Sequence, residues 1–181
     1  SVLLLSTLVG CLDPEFYDQE EYELFIEYDI DEANQIWEQY DEHQYEKRTP
    51  PGSQSIEIAN NLVNNNEIYL LRYWDSFVYD EETLDWSEDP YADDTWVFYF
   101  HSLRMVSFLM NAYELTSNIT YLEKAQWFIE SWVEHNPDPY NNSGTRFAWG
   151  DHSVANRILT LIYFWDYYQN SSIFVEDFAN D

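Results

Sequence analysis

"TWVFYFHSLRMVSFLMNAYELTSNITYLEKAQWFIESWVEHNPDP", residues 95–139, decides the fold class. Trp96, Phe100, Leu103, Val106, Leu109, Met110 and Tyr113 recur at steps of three and four, which predicts a helix from Thr95 to Thr116 that is apolar on most of its circumference. After a short polar turn the period resumes at about Thr120, placing Tyr121, Leu122, Ala125, Phe128, Ile129 and Trp132 on one face of a second helix. The run "HNPDP" stops it, because proline cannot continue the hydrogen-bond ladder. Two such helices joined by a brief turn form an αα-hairpin, so the chain is expected to be mainly α, with the look of a repeating helical array.

On the C-terminal side, the loop "YNNSGTRFAWG" (140–150) leads to a third predicted helix, with Asp151 or Ser153 as N-cap and Val154, Ile158, Leu161, Ile162 and Trp165 as its apolar face. A further helix is expected from Ser171 or Ser172. On the N-terminal side, "SEDPYADD" (87–94) is a loop. Residues 67–86, dense in β-branched and aromatic side chains, predict short strands or an extended hairpin. A short helix is expected from Ser55 to about Asn65, preceded by the breaker "RTPPGS" (48–53). Residues 13–48 have a ragged helical spacing, consistent with one or two surface helices joined near residues 29–32.

The chain has 181 residues, 45% hydrophobic and 19% aromatic, enough for one domain with a substantial core and unlike an acidic disordered tail. Its 35 acidic and 7 basic residues give a net charge of −28, of which about −22 falls in residues 1–94 and about −6 in residues 95–181. That field repels nucleic acid phosphates and anionic membrane surfaces, so no nucleic acid partner is expected and an anionic ligand needs a locally positive setting. The same surface suits a protein kept soluble in high salt, where carboxylate repulsion is screened.

The first residues, "SVLLLSTLVGCLDPE", carry an apolar run too short to span a bilayer and shaped like a secretory h-region. Leu8-Val9-Gly10-Cys11 is similar to a lipobox, so residues 1–12 read as a truncated lipoprotein signal with Cys11 as the lipidation site. The other reading is a buried apolar segment with Cys11 in the core. The first implies a lipid-anchored location at the cell surface or periplasm, or else secretion, with membrane contact only through Cys11. A single cysteine excludes an intrachain disulfide and a cysteine-based metal site.

The sequence contains no Gly-rich phosphate loop, no His-x-x-x-His, and no serine flanked by glycines in a nucleophile elbow. No cofactor or metal is expected. With 35 acids, choosing a catalytic carboxylate pair by eye has no specificity. Polar groups embedded in aromatic stretches are better candidates. His101 and Arg104 share a face at helical spacing, and His152, Asn156 and Arg157 edge the start of the third helix, where the dipole favours an anion. Aromatic faces beside guanidinium groups suit sugar rings bearing carboxylates. The alternative is that these groups are satisfied core-edge residues.

In order along the chain, Asp85-Trp86, Trp96, His101-Ser102-Leu103-Arg104, Ala112-Tyr113, Leu115-Thr116, Tyr121-Leu122, Trp132, Asn136-Pro137, Phe147-Ala148-Trp149 and Asn156-Arg157 resemble the N-terminal helical domain of heparinase II/III-like polysaccharide lyases. The resemblance spans roughly residues 56–170 and leaves the acidic stretch 13–48 outside, dividing the chain into a signal (1–12), an acidic helical extension (13–54) and a partial lyase-type helical domain (55–181). It implies an incomplete (α/α) toroid built of αα-hairpins. It also implies cleavage of uronic-acid polysaccharide by β-elimination, in which an Asn, often followed by His, neutralises the uronate while Tyr and His move protons. No Asn-His dipeptide occurs here, so the catalytic residues are expected C-terminal of Asp181 and the fragment is expected to be inactive alone. What the resemblance leaves to this chain is one wall of a cleft for an acidic polysaccharide, with His101, Arg104, Arg146, Trp149, His152 and Arg157 as candidate substrate-binding residues. A non-catalytic glycan-binding module and an (α/α) glycoside hydrolase are the competing expectations.

Overall fold

The computed structural model describes residues 52–141 and 144–175, together with Phe178. The signal with Cys11 and the acidic extension therefore lie outside the described residues. Among the described residues, five helices and one small hairpin follow in the order α1 (Ser53–Asn65), β1 (Glu67–Ile68), β2 (Phe77–Val78), α2 (Asp94–His101), α3 (Arg104–Thr116), α4 (Ile119–His135) and α5 (Asp151–Tyr168). The mainly α expectation holds, and the hairpin falls inside 67–86 where it was predicted. Its strands are antiparallel, with Glu67 opposite Val78 and Ile68 opposite Phe77.

Helix α1 ends at Asn66, which adopts the left-handed conformation that asparagine tolerates and turns the chain directly into β1. Helix α4 begins where Asn118 caps it, the side-chain oxygen accepting from the Thr120 amide at 3.2 Å. Its buried residues are the six picked out by periodicity, Tyr121, Leu122, Ala125, Phe128, Ile129 and Trp132. Helix α3 is the hub of the fold. Met105 to Ala112 are buried without interruption, and α1, α4 and α5 all pack on it, as a helix with an all-round apolar surface requires.

The single helix expected over 95–116 is two helices. Leu103 takes a left-handed conformation (φ 54°, ψ 39°) between α2 and α3, while the Ser102 hydroxyl folds back to donate to the Phe98 carbonyl at 2.6 Å. A left-handed non-glycine residue costs about 1–2 kcal/mol, so the break must be held from outside, and the buried groups described below hold it. The break also separates His101 from Arg104, which no longer share a helix face.

Helix α5 departs from expectation in two ways. Gly150 is its N-cap, not Asp151 or Ser153, and the Asp151 carboxylate instead accepts from the His152 amide at 2.7 Å. Its inward face is rotated from the predicted apolar stripe. Ser153, Arg157 and Thr160 are buried with Val154, Leu161 and Phe164, while Ile158, Ile162 and Trp165 are only partly covered. Periodicity missed this because polar residues fill part of the buried face; Thr160 and Ser107 pair their hydroxyls at 3.2 Å across α5 and α3. Beyond α5, residues 171–173 form a bend and turn where a further helix was expected to start, Phe178 is helical, and the Tyr168 hydroxyl accepts from the Val175 amide at 2.9 Å.

Candidate functional site

Six of the residues that carry the family resemblance, Trp86, His101, Trp132, Asn136, Ala148 and Arg157, converge on one buried knot. His101 is fully buried; its Nε2 lies 3.1 Å from the Trp86 carbonyl, and its Nδ1 accepts from the Trp132 indole N–H at 3.3 Å. A ring that accepts at Nδ1 and faces a carbonyl at Nε2 carries its proton on Nε2 and is neutral. Burial first, then the neighbouring Arg157 guanidinium, push its pKa down to about 3.

Arg157 is also fully buried. Its Nη1 donates to the His101 carbonyl at 2.7 Å, its Nη2 donates to the Ala148 carbonyl at 2.9 Å, and its guanidinium lies 3.7 Å from the Trp132 ring centroid. The His101 carbonyl is free to accept because the α2–α3 break removes it from the helical ladder, so the arginine caps a broken helix. Around this pair, Trp86 donates from its indole to the Ser131 hydroxyl at 3.0 Å, and Trp86, Phe100 and Trp96 stack in series with centroids 4.6 and 4.8 Å apart. Asn136 closes the end of α4 by donating its side-chain amide to the Trp132 carbonyl at 3.0 Å.

Of the six candidate contact residues, His101 and Arg157 are thus interior supports: at 0% exposure neither can touch a polymer in this conformation. The reason is physical. Both satisfy buried backbone carbonyls, His101 facing that of Trp86 and Arg157 those of His101 and Ala148, and leaving such carbonyls unpaired would cost about 1–3 kcal/mol each. Trp149 is half-buried over the knot, 5.5 Å from Trp132. Arg146 is exposed and forms an ion pair with Asp94 at the start of α2. His152 is exposed, with its Nδ1 2.7 Å from the Asp151 carboxylate, and Asn156 donates back to the His152 carbonyl at 2.8 Å. Hydrogen bonds from His152 hold the Asp151 carboxyl below its ordinary pKa.

Arg104 stands apart from that knot. Its Nε donates to the Leu70 carbonyl at 2.8 Å, and its guanidinium lies 4.9 Å from the Tyr99 centroid and 5.6 Å from that of Phe108. Partial burial lowers its pKa, without removing its charge. Its Nη groups make no hydrogen bond among the described residues. An arginine pinned through Nε and flanked by rings presents its Nη edge in a fixed geometry, the arrangement that grips a carboxylate in two parallel bonds. Phe108 was legible as its i+4 neighbour; Leu70 and Tyr99 were not, since the hairpin contact and the helix break are tertiary. Among the described residues no group of three or more His, Cys, Asp or Glu is placed to hold a metal ion.

A family model described as Heparinase II/III N-terminus matches residues 25–180. The match begins inside the acidic stretch that the motif resemblance left outside. No curated protein and no solved structure matches the chain. With the family model covering most of the sequence, the chain belongs to the heparinase II/III N-terminal family, a polysaccharide-lyase-related domain.

Proposed function

We propose that this domain forms one wall of the cleft in a lyase that cleaves uronic-acid polysaccharide by β-elimination, with Arg104 gripping a substrate carboxylate. The observation that carries the proposal is the Arg104 guanidinium, fixed by Leu70 and framed by Tyr99 and Phe108 with its Nη edge unused. β-Elimination needs the uronate charge neutralised before the C5 proton is acidic, then a base and an acid. A held arginine can bind and orient such a sugar, while no Asn-His element is present to supply the neutralising step. The domain is therefore a binding part, and the protons are moved by residues outside this chain. Arg146, Trp149 and His152 are further wall candidates, the first and last being exposed and Trp149 half-buried. The lipobox-like Leu8-Val9-Gly10-Cys11 supports anchorage at the cell surface through Cys11, which metabolic labelling with a fatty acid would detect and Cys11→Ser would abolish.

The test is calorimetric titration of the chain with uronate oligosaccharides, together with absorbance in the near ultraviolet, where the new C4–C5 double bond appears. Binding without double-bond formation is expected. Arg104→Gln should weaken binding by roughly ten- to a hundredfold, the worth of a charge-assisted hydrogen-bond pair. Unchanged affinity in that variant, or turnover by the chain alone, overturns the proposal.

A further inference from the structure

The loop between β1 and β2 carries Arg72, Tyr73 and Trp74 in succession, and the site above uses none of them. Tyr73 is 71% exposed. The Arg72 guanidinium lies 5.2 Å from its ring centroid and donates to its hydroxyl at 3.3 Å. Trp74 meets Tyr73 edge-on at 6.3 Å and stacks on Tyr91 at 6.2 Å, with 29° between the planes. Tyr91 is fixed in turn, its hydroxyl donating to the Asp75 carbonyl at 2.6 Å and its ring set against the core residue Trp96 at 5.9 Å. The rings are thus anchored to the core through a chain of aromatic contacts, while the outermost is left open to solvent.

The charge pattern points the same way. Two arginines are exposed among the described residues; Arg146 is paired with Asp94, whereas Arg72 has no carboxylate partner among them. In a chain with five acids for every base, a cation laid on an exposed ring rather than on a carboxylate is available to an anion from outside. Its position is also suggestive. Leu70, whose carbonyl holds Arg104, lies two residues earlier, so at most about 7 Å of extended backbone separates Leu70 from Arg72.

We infer that Arg72, Tyr73 and Trp74 form a second subsite for the same polymer, in which a uronate-bearing sugar packs on the Tyr73 and Trp74 rings while Arg72 pairs with its carboxylate. Aromatic faces cover the apolar side of a sugar ring, and the guanidinium fork supplies preference for the acid. With Arg104 nearby, the domain would address two acidic sugars of one chain. The inference rests on the proposal that the domain binds acidic polysaccharide.

The experiment titrates the whole chain with an alginate hexasaccharide, a heparan-sulfate hexasaccharide and neutral cellohexaose. Binding to an acidic probe is expected, weakened about tenfold by Arg72→Gln and roughly fivefold by Tyr73→Ala. Both residues are exposed, so unaltered thermal unfolding of each variant separates lost contact from lost fold. Leu115→Ala, an exposed apolar change at the far end of α3, should bind as the parent does. If both hairpin variants bind acidic probes normally while Arg104→Gln does not, the second subsite is wrong and the functional proposal stands. If the parent binds neither acidic probe, both fall. Equal affinity for cellohexaose, unchanged by Arg72→Gln, also overturns the subsite.

Discussion

Replacing Arg157 separates a structural from a ligand-contacting role. Lysine in its place keeps a charge but loses the planar fork that bridges the His101 and Ala148 carbonyls at 2.7 and 2.9 Å, and loses the flat contact with Trp132. One buried carbonyl then goes unpaired, a loss of about 1–3 kcal/mol. Arg157→Met leaves both unpaired and removes the cation–π contact, offset by the relief of no longer burying a charge, for a net loss of about 3–5 kcal/mol. In a domain of this size each kcal/mol moves Tm by roughly 2–4 °C. Arg157→Lys should therefore unfold about 2–12 °C lower than the parent and Arg157→Met about 6–20 °C lower. Thermal unfolding followed by circular dichroism at neutral pH measures this, with oligosaccharide titration of the same proteins alongside. An Arg157→Met protein that melts within about 2 °C of the parent yet loses sugar binding would refute the assignment of Arg157 to the core.

His101 should make the fold acid-sensitive. Its folded pKa of about 3 lies below the unfolded value, so between the two the unfolded chain takes up the extra proton. The stability it contributes is complete above roughly pH 6.5 and is lost as pH falls, by about 2 kcal/mol at pH 5. His101→Gln, which cannot titrate, should flatten that part of the stability profile, and an identical slope in both proteins would refute the cause. A Cβ at position 150 would sit 2.8 Å from the Arg146 backbone carbonyl, so Gly150→Ala should destabilise by about 1–3 kcal/mol, measured by urea unfolding. Affinity for an acidic oligosaccharide should change little or rise as salt increases from about 0.01 to 0.15 M, because screening relieves the repulsion from the net charge of −28 while leaving the direct arginine contacts. A steep fall would mean that binding relies on broad cationic attraction.

Much of the fold was legible in advance because helices announce themselves through period. The buried face of α4 was read residue for residue, the hairpin fell where β-branched and aromatic residues cluster, and the largely apolar circumference expected over 95–116 is met in the burial of α3. The candidate site was less legible. His101 and Arg157 stood out correctly as unusual polar residues among aromatics, but sequence cannot tell a cation facing a ligand from one facing a carbonyl. Arg72, Tyr73 and Trp74 were absorbed into a predicted strand region, because a turn within a β-like run leaves no periodic mark.

The sequence by itself determined the helical class, most of the element positions, the acidic field that makes an anionic ligand a local matter, and the family, through motifs in a fixed order. The tertiary structure decided what those motifs do. Residues from 86 to 157 meet only after α2 breaks at Leu103 and α5 turns its polar residues inward, and only then do the His101 and Ala148 carbonyls need Arg157. Periodicity records which face of an element is apolar; it carries no information on which backbone groups a break sets free, or which distant side chain satisfies them.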